Sequence, residues 1–208
     1  MIKAKVCGLT DSINVKELAM AGPDLMGFIF YQGSPRYTGE EPDRTLFRNV
    51  PSGISRVGVF VNEDRDKIIE LAHVCGLGII QLHGNESPEY CSQIRSSGLE
   101  VIKAFSISEG FYFEGIRPYL QSCDYFLFDT KTSKYGGSGK KFRWDCLTSY
   151  NLDKPFFLSG GIGPEDTEKI KVIKNKGFFA VDLNSRFETS PGRKDVALVK
   201  TFIDGIKI

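Results

Sequence analysis

Six stretches of this 208-residue chain set chemically capable side chains directly after apolar runs or in the loops that follow them. They are Cys7-Gly8, the loop around Arg36, Gln81 with His83, Asp129-Thr130, Ser159-Gly160-Gly161, and Asp182 through Ser185. A cysteine works as a base when its pKa falls from about 8.5 toward neutrality. A free cysteine is equally at home as a small buried hydrophobe. The place of Cys7 at a strand end, followed by Gly8, favours exposure to a site. Asp129 closes the run Tyr125-Phe126-Leu127-Phe128. It either caps or pins its loop or, with a raised pKa, donates a proton to a substrate oxygen.

Arg36 lies in Ser34-Pro35-Arg36-Tyr37. It reads as a solvated surface group or as a receptor for a carboxylate, which its planar fork matches in bidentate fashion. Gln81 and His83 alternate along one strand and share a face. They are either a satisfied polar core pair or substrate contacts. Ser159-Gly160-Gly161-Ile162-Gly163 is the sharpest local signal, because glycines let backbone N–H groups approach an oxyanion closely. A plain tight turn is the competing reading. After Asp129 come Lys131, Lys134, Lys140, Lys141 and Arg143, a solvated cluster or one that steers an anion. Gly136, Gly137 and Gly139 in the same stretch suit a closing lid.

The elements that must position these groups are legible as eight short apolar runs. They are Ala4–Val6, Met26–Phe30, Val57–Val61, Ile79–Leu82, Val101–Phe105, Tyr125–Phe128, Pro155–Leu158 and Phe178–Leu183. Consecutive Val, Ile and Phe suit parallel strands buried on both faces. Helix signals lie between them. Ser87-Pro88-Glu89 reads as an N-cap, a proline at N1 and a first-turn acid, and Gly163-Pro164-Glu165-Asp166 opens a helix in the same way. Val199, Phe202, Ile203 and Ile206 form one helix stripe, and Ile68, Ile69, Ala72 and Cys75 another. Alternating strands and helices predict an α/β protein, either a closed barrel or an open doubly wound sheet. No G-x-G-x-x-G follows the first strand, which weakens the dinucleotide-binding sheet. The expected fold is a single compact (β/α)₈ TIM barrel spanning residues 1–208, with about 26 residues per unit and short loops. In such a barrel the chemistry sits where strands end, and phosphate sits after strands seven and eight.

Composition narrows the function. The chain is 41% hydrophobic and 25% charged with net charge +1, so no nucleic-acid partner is expected. No apolar run approaches the roughly 20 residues that span a bilayer. No signal-type stretch opens the sequence, so a cytoplasmic location is expected. Cys7, Cys75, Cys91, Cys123 and Cys146 form no CxxC pair, and His73 and His83 lie in no ligand spacing. Neither a disulfide framework nor a metal site is expected.

The chain resembles the phosphoribosylanthranilate isomerases. The resemblance rests on Lys5-Val6-Cys7-Gly8-Leu9-Thr10, Gly27-Phe28-Ile29-Phe30, Ser34-Pro35-Arg36-Tyr37 and Val57-Gly58-Val59-Phe60-Val61. It continues with Gln81-Leu82-His83-Gly84, Asp129-Thr130, Gly136-Gly137-Ser138-Gly139 with Phe142 and Trp144, Leu158-Ser159-Gly160-Gly161-Ile162, and Val181-Asp182. It implies an Amadori rearrangement of N-(5-phosphoribosyl)anthranilate without cofactor, in tryptophan biosynthesis. The expected partner is the small-molecule substrate, with no nucleic acid and no membrane, and the expected state is a monomer. By this resemblance Asp129 is the general acid and Cys7 the general base. Arg36 holds the anthranilate carboxylate, Gln81, His83 and Asp182 contact substrate, and Gly160, Gly161, Asn184 and Ser185 bind phosphate.

The chain departs from the family in Val181-Asp182-Leu183-Asn184-Ser185-Arg186-Phe187-Glu188, where the family commonly reads Val-Asp-x-Ser-Ser-Gly-Val-Glu. Asn184 replaces a serine, and Arg186 stands where glycine is usual. If that position is left-handed, arginine costs about 1 kcal/mol there. Arg186 is expected to point to solvent, leaving phosphate to backbone N–H groups; the alternative is a guanidinium paired with phosphate. Two other functions compete. One is the related isomerase of histidine biosynthesis, which has aspartate in place of Cys7 and a phosphate loop in each half. The other is a catalytically silent phosphosugar-binding barrel.

Overall fold

The computed structural model describes residues 1–108, 110–130 and 144–207. Eight parallel strands close into a barrel in chain order. They are β1 (Lys3–Cys7), β2 (Leu25–Ile29), β3 (Ser55–Phe60), β4 (Ile79–Leu82), β5 (Glu100–Ile107), β6 (Tyr125–Thr130), β7 (Phe156–Leu158) and β8 (Phe178–Leu183). All eight expected strands are present, and their ends move by up to two residues from the apolar runs. The ring closes where β1 pairs with β8, Lys5 opposite Asp182. Because every pairing is parallel, Cys7, Asp129 and Gly160 all fall at one end.

Among the described residues six α-helices cover the outside: α1 (Ser12–Ala19), α2 (Arg44–Arg48), α3 (Arg65–Cys75), α4 (Pro88–Arg95), α5 (Thr167–Lys171) and α6 (Val196–Lys207). Their starts are capped as local chemistry dictates. The Asp11 carboxylate accepts from the N–H groups of Ile13 and Asn14, and Ser87 accepts from Tyr90 ahead of Pro88. Val199, Phe202, Ile203 and Ile206 are the buried face of α6. On α3, Ile68, Ala72 and Cys75 are buried and Ile69 is half-buried. Two expected helices are 3₁₀ turns instead, Phe113–Tyr119 and Trp144–Ser149; the first contains Pro118, which has no N–H to give. Gly163-Pro164-Glu165-Asp166 likewise opens a 3₁₀ turn, which runs into α5.

The strand period of two divides the core. Ala4, Val6, Phe28, Phe60, Phe126 and Phe128 pack beneath the helices. Leu25, Val57, Ile79, Ile102, Leu127, Phe157 and Ala180 fill the barrel interior. After β8 a 3₁₀ turn (Ser185–Phe187) leads into a small antiparallel hairpin, β9 (Glu188–Ser190) and β10 (Arg193–Lys194). That hairpin positions much of the site.

Candidate active site

Cys7, the last residue of β1, is 3% exposed. Its sulfur faces β2 at Gly27, where an added Cβ would lie 2.7 Å from Sγ. Lys5, two residues earlier, shares its face. Its ammonium is fully buried and bonds Asp182 Oδ1 at 2.9 Å. Burial disfavours the Lys5 charge, but Asp182 and Cys7 outweigh it and Lys5 sits above its ordinary value. Burial likewise holds Asp182 above the usual carboxylate range, against the pull of Lys5. For Cys7 burial is again the largest influence and pushes the thiol up, while Lys5 and Lys194 pull it down.

Across the mouth, Asp129 near the end of β6 receives His83 Nε2 at 3.4 Å on Oδ2 and the N–H of Thr130 at 2.8 Å on Oδ1. Gln81 Nε2 lies 3.1 Å from His83 Nδ1. With Gln81 donating there, His83 carries its proton on Nε2, toward Asp129. The β4 loop that carries His83 is fixed from beneath. Lys103 bonds Glu86 at 3.0 Å and the carbonyl of Gly84 at 2.8 Å, and Glu86 accepts the N–H groups of Gly84 and Asn62.

Arg36 is 8% exposed rather than solvated. Its Nε lies 2.8 Å and 3.0 Å from the two carboxylate oxygens of Glu188, and Nη2 lies 2.6 Å from Oε2. Lys194 bonds the same carboxylate and donates to Asn184 Oδ1 at 2.8 Å. Asn184 therefore spends its side-chain oxygen on a lysine. Burial pulls Lys194 down to about 8, against the pull of Glu188. Glu188 ends below its ordinary value, because Arg36 and Lys194 outweigh its burial.

The glycine turn after β7 is forced by close approach. Gly160 has φ +90, and an added Cβ would lie 2.2 Å from Thr130 Oγ1 and 2.7 Å from Thr130 N. The turn is thus packed against the strand that carries Asp129. Gly161 also has positive φ, at 70. Next to Gly163, where an added Cβ would lie 2.7 Å from its Nε, Arg186 bonds Glu165 through Nη2 at 3.0 Å with 42% of its side chain exposed. The expected left-handed cost at Arg186 is absent, because Asn62 is the sole non-glycine residue of positive φ among the described residues. The 3₁₀ turn gives Arg186 an ordinary backbone. The cationic and glycine-rich stretch from Lys131 to Arg143, with Phe142, lies outside the described residues.

Sequence reasoning thus placed Cys7, Arg36, Gln81, His83, Asp129, Gly160, Gly161, Asp182, Asn184 and Ser185 at the ends of strands or in the loops that follow. It missed Lys5, Glu188 and Lys194. Alternation with Cys7 was the available signal for Lys5. Among the described residues no helix is long and apolar enough to cross a membrane, and no group of three or more His, Cys, Asp or Glu side chains could hold a metal.

A closed barrel with acid, thiol and guanidinium at its C-terminal mouth and a glycine turn after β7 is the architecture of a TIM-barrel enzyme. The profile of the N-(5'-phosphoribosyl)anthranilate (PRA) isomerases matches residues 4–205. The N-(5'-phosphoribosyl)anthranilate isomerase of Phocaeicola vulgatus is 44% identical over 203 residues, covering 98% of this chain and 97% of that one. The crystal structure of phosphoribosyl anthranilate isomerase from Thermotoga maritima aligns with TM-score 0.88 at 38% identity, over 100% of this chain and 99% of that one. A phosphoribosyl anthranilate isomerase crystallised with reduced 1-(o-carboxyphenylamino)-1-deoxyribulose 5-phosphate aligns with TM-score 0.86 at 34% identity, over 100% and 99%. The chain belongs to the phosphoribosylanthranilate isomerase family, isomerases of tryptophan biosynthesis.

Proposed function

We propose that this enzyme converts N-(5-phosphoribosyl)anthranilate into 1-(2-carboxyphenylamino)-1-deoxyribulose 5-phosphate, with Asp129 as general acid and Cys7 as general base. The observation that carries the reading is the meeting of Cys7, Asp129, a buried Arg36 and the Gly160-Gly161 turn at one barrel mouth. A related isomerase holds a reduced form of that product. Asp129 protonates the ribose ring oxygen, the bond from that oxygen to C1 breaks, and an iminium forms. Cys7 as thiolate then removes the C2 proton. The resulting enolamine tautomerises to the ketone. His83 orients the Asp129 carboxyl through the 3.4 Å contact on Oδ2.

Arg36 holds the anthranilate carboxylate with the part of its fork that Glu188 leaves free. The backbone N–H groups of Gly160 and Gly161 hold phosphate, together with those of the turn from Asn184 through Ser185. Lys194 takes the Asn184 side-chain oxygen, so Asn184 meets phosphate with its donors, the Nδ2 amide and the backbone N–H. Asp182, steadied by Lys5, contacts the sugar. The test is turnover of synthesised phosphoribosylanthranilate by the purified enzyme, beside the aminoimidazole substrate of the corresponding histidine-biosynthesis step. Conversion of the first supports the reading. Conversion of the second alone, or of neither, contradicts it.

A further inference from the structure

The hairpin after β8 delivers a lysine to the barrel mouth, and the reaction as written leaves it without a part. The Lys194 side chain is 0% exposed. One buried side chain clamps its backbone from both sides: Asn14 of α1 accepts the Lys194 N–H at 2.7 Å and donates to the Lys194 carbonyl at 2.9 Å. The ammonium donates to Asn184 Oδ1 and to Glu188. An ammonium carries three donors, so one remains beyond these two bonds among the described residues. Gly8, directly after Cys7, closes the gap on the other side. A Cβ there would lie 2.8 Å from Asn184 Oδ1 and 2.5 Å from Arg36 Cδ. Cys7, Asn184, Lys194, Glu188 and Arg36 are thus one contiguous assembly.

The charges in it do not balance while Cys7 is a thiol. Lys5 lies on the cysteine's own strand, Asp182 faces it from β8 and Lys194 from β10. Arg36 and Glu188 complete the cluster, and Asp129 and His83 face Asp182 from across the mouth. Among the described residues Lys5 is paired with Asp182, and Arg36 and Lys194 share Glu188, so this bonded assembly holds three cations against two carboxylates, while Asp129 pairs with His83 across the mouth. A Cys7 thiolate makes it three against three. An uncompensated charge away from water is what a protein interior disfavours most strongly.

We propose that Lys194 is a positioning residue for the general base, its buried ammonium supplying the counter-charge that holds Cys7 as thiolate and tying it through Glu188 to Arg36. This rests on the reading of Cys7 as base. Lys5 has Asp182 as its own carboxylate partner at 2.9 Å, whereas Lys194 shares Glu188 with Arg36, which makes Lys194 the cation whose charge is left over. Burial alone drives the thiol the wrong way for a base, and Lys194 is one of the two groups that oppose it.

The test is the pH dependence of Cys7 alkylation by iodoacetamide in the substrate-free enzyme, read on the Cys7 peptide by mass spectrometry. Alkylation follows the thiolate. In Lys194→Met the midpoint is expected to rise by about one unit or more, and Lys194→Arg is expected to recover part of the shift. The acid limb of kcat/KM moves up with it. Should Lys194→Met fail to fold, Lys194→Gln, which still donates to Asn184 and Glu188, is expected to show the same rise. A midpoint unchanged from wild type in whichever of the two folds, by near-ultraviolet circular dichroism, overturns the proposal. The base assignment fails separately: a Cys7→Ala enzyme with wild-type kcat/KM would remove Cys7 as base while leaving the alkylation result standing.

Discussion

Arg36 and Glu188 meet as a fork on a carboxylate, with Nε 2.8 Å and 3.0 Å from the two oxygens and Nη2 2.6 Å from one of them. Among the described residues no bond is made to Nη1. The guanidinium is therefore held at one edge and offered at the other, with its rotamer already fixed.

Removing that support should act on binding. In Glu188→Gln, Arg36 keeps a weaker, neutral partner, and KM for phosphoribosylanthranilate is expected to rise about ten-fold, as for loss of a charge-assisted bond. The variant also reports on acid stability. Glu188 sits below its ordinary value, so its contribution is fully present above its unfolded pKa, about 4.3. It is lost as pH falls through the lower, folded value. Urea unfolding should show a wild-type advantage that is flat at neutral pH and shrinks in acid. An advantage that grows in acid would contradict this assignment.

Arg36→Lys should weaken binding because an ammonium cannot reproduce the planar fork. A substrate analogue lacking the anthranilate carboxylate should lose little further in the variant. Equal losses for both ligands would mean that Arg36 does not read that group.

Gly160→Ala should damage stability and turnover together. Its Cβ would lie 2.2 Å from Thr130 Oγ1 and 3.1 Å from Asp129 Oδ1, at φ +90. A residue forced into such a conformation costs about 1–3 kcal/mol, and the strand end carrying Asp129 must shift to admit it. Thermal unfolding and kcat are the readouts. A variant of wild-type stability and kcat would show that the turn does not press on Asp129.

Arg186→Gly should change little. The Arg186 side chain is 42% exposed and that of its partner Glu165 50%, and such surface pairs contribute about 0–1 kcal/mol. KM should stay within about two-fold and keep its salt dependence. A ten-fold rise in KM with an unperturbed fold would make Arg186 a phosphate ligand, as a desolvated charge-assisted bond contributes about 1.5–3 kcal/mol.

The barrel was legible because each strand is built on a short apolar run, and the residues just after those runs face the mouth. Cys7 and Asp129 were found by that rule. Lys5, Glu188 and Lys194 obey no such pattern. Lys5 interrupts an apolar run, and Lys194 in Gly192-Arg193-Lys194-Asp195 looks like an exposed turn. Only the fold reveals that Asn14, 180 residues away in sequence, pins Lys194 and turns its charge inward. Arg186 was expected to point to solvent, and its side chain is 42% exposed; only its backbone was not legible. The glycine usual in the family suggested a left-handed backbone, whereas the local 3₁₀ turn keeps φ ordinary.

The central claim is that Cys7 and Asp129 act as an acid–base pair on phosphoribosylanthranilate. Single-turnover conversion by wild-type, Cys7→Ala and Asp129→Ala enzymes tests it most directly, since slow product release cannot mask a chemical defect there. Each substitution should slow the chemical step by about 10²–10⁴-fold while substrate affinity is largely kept, the usual contribution of a general acid or base. A folded variant whose single-turnover rate matches wild type would contradict the role given to that residue.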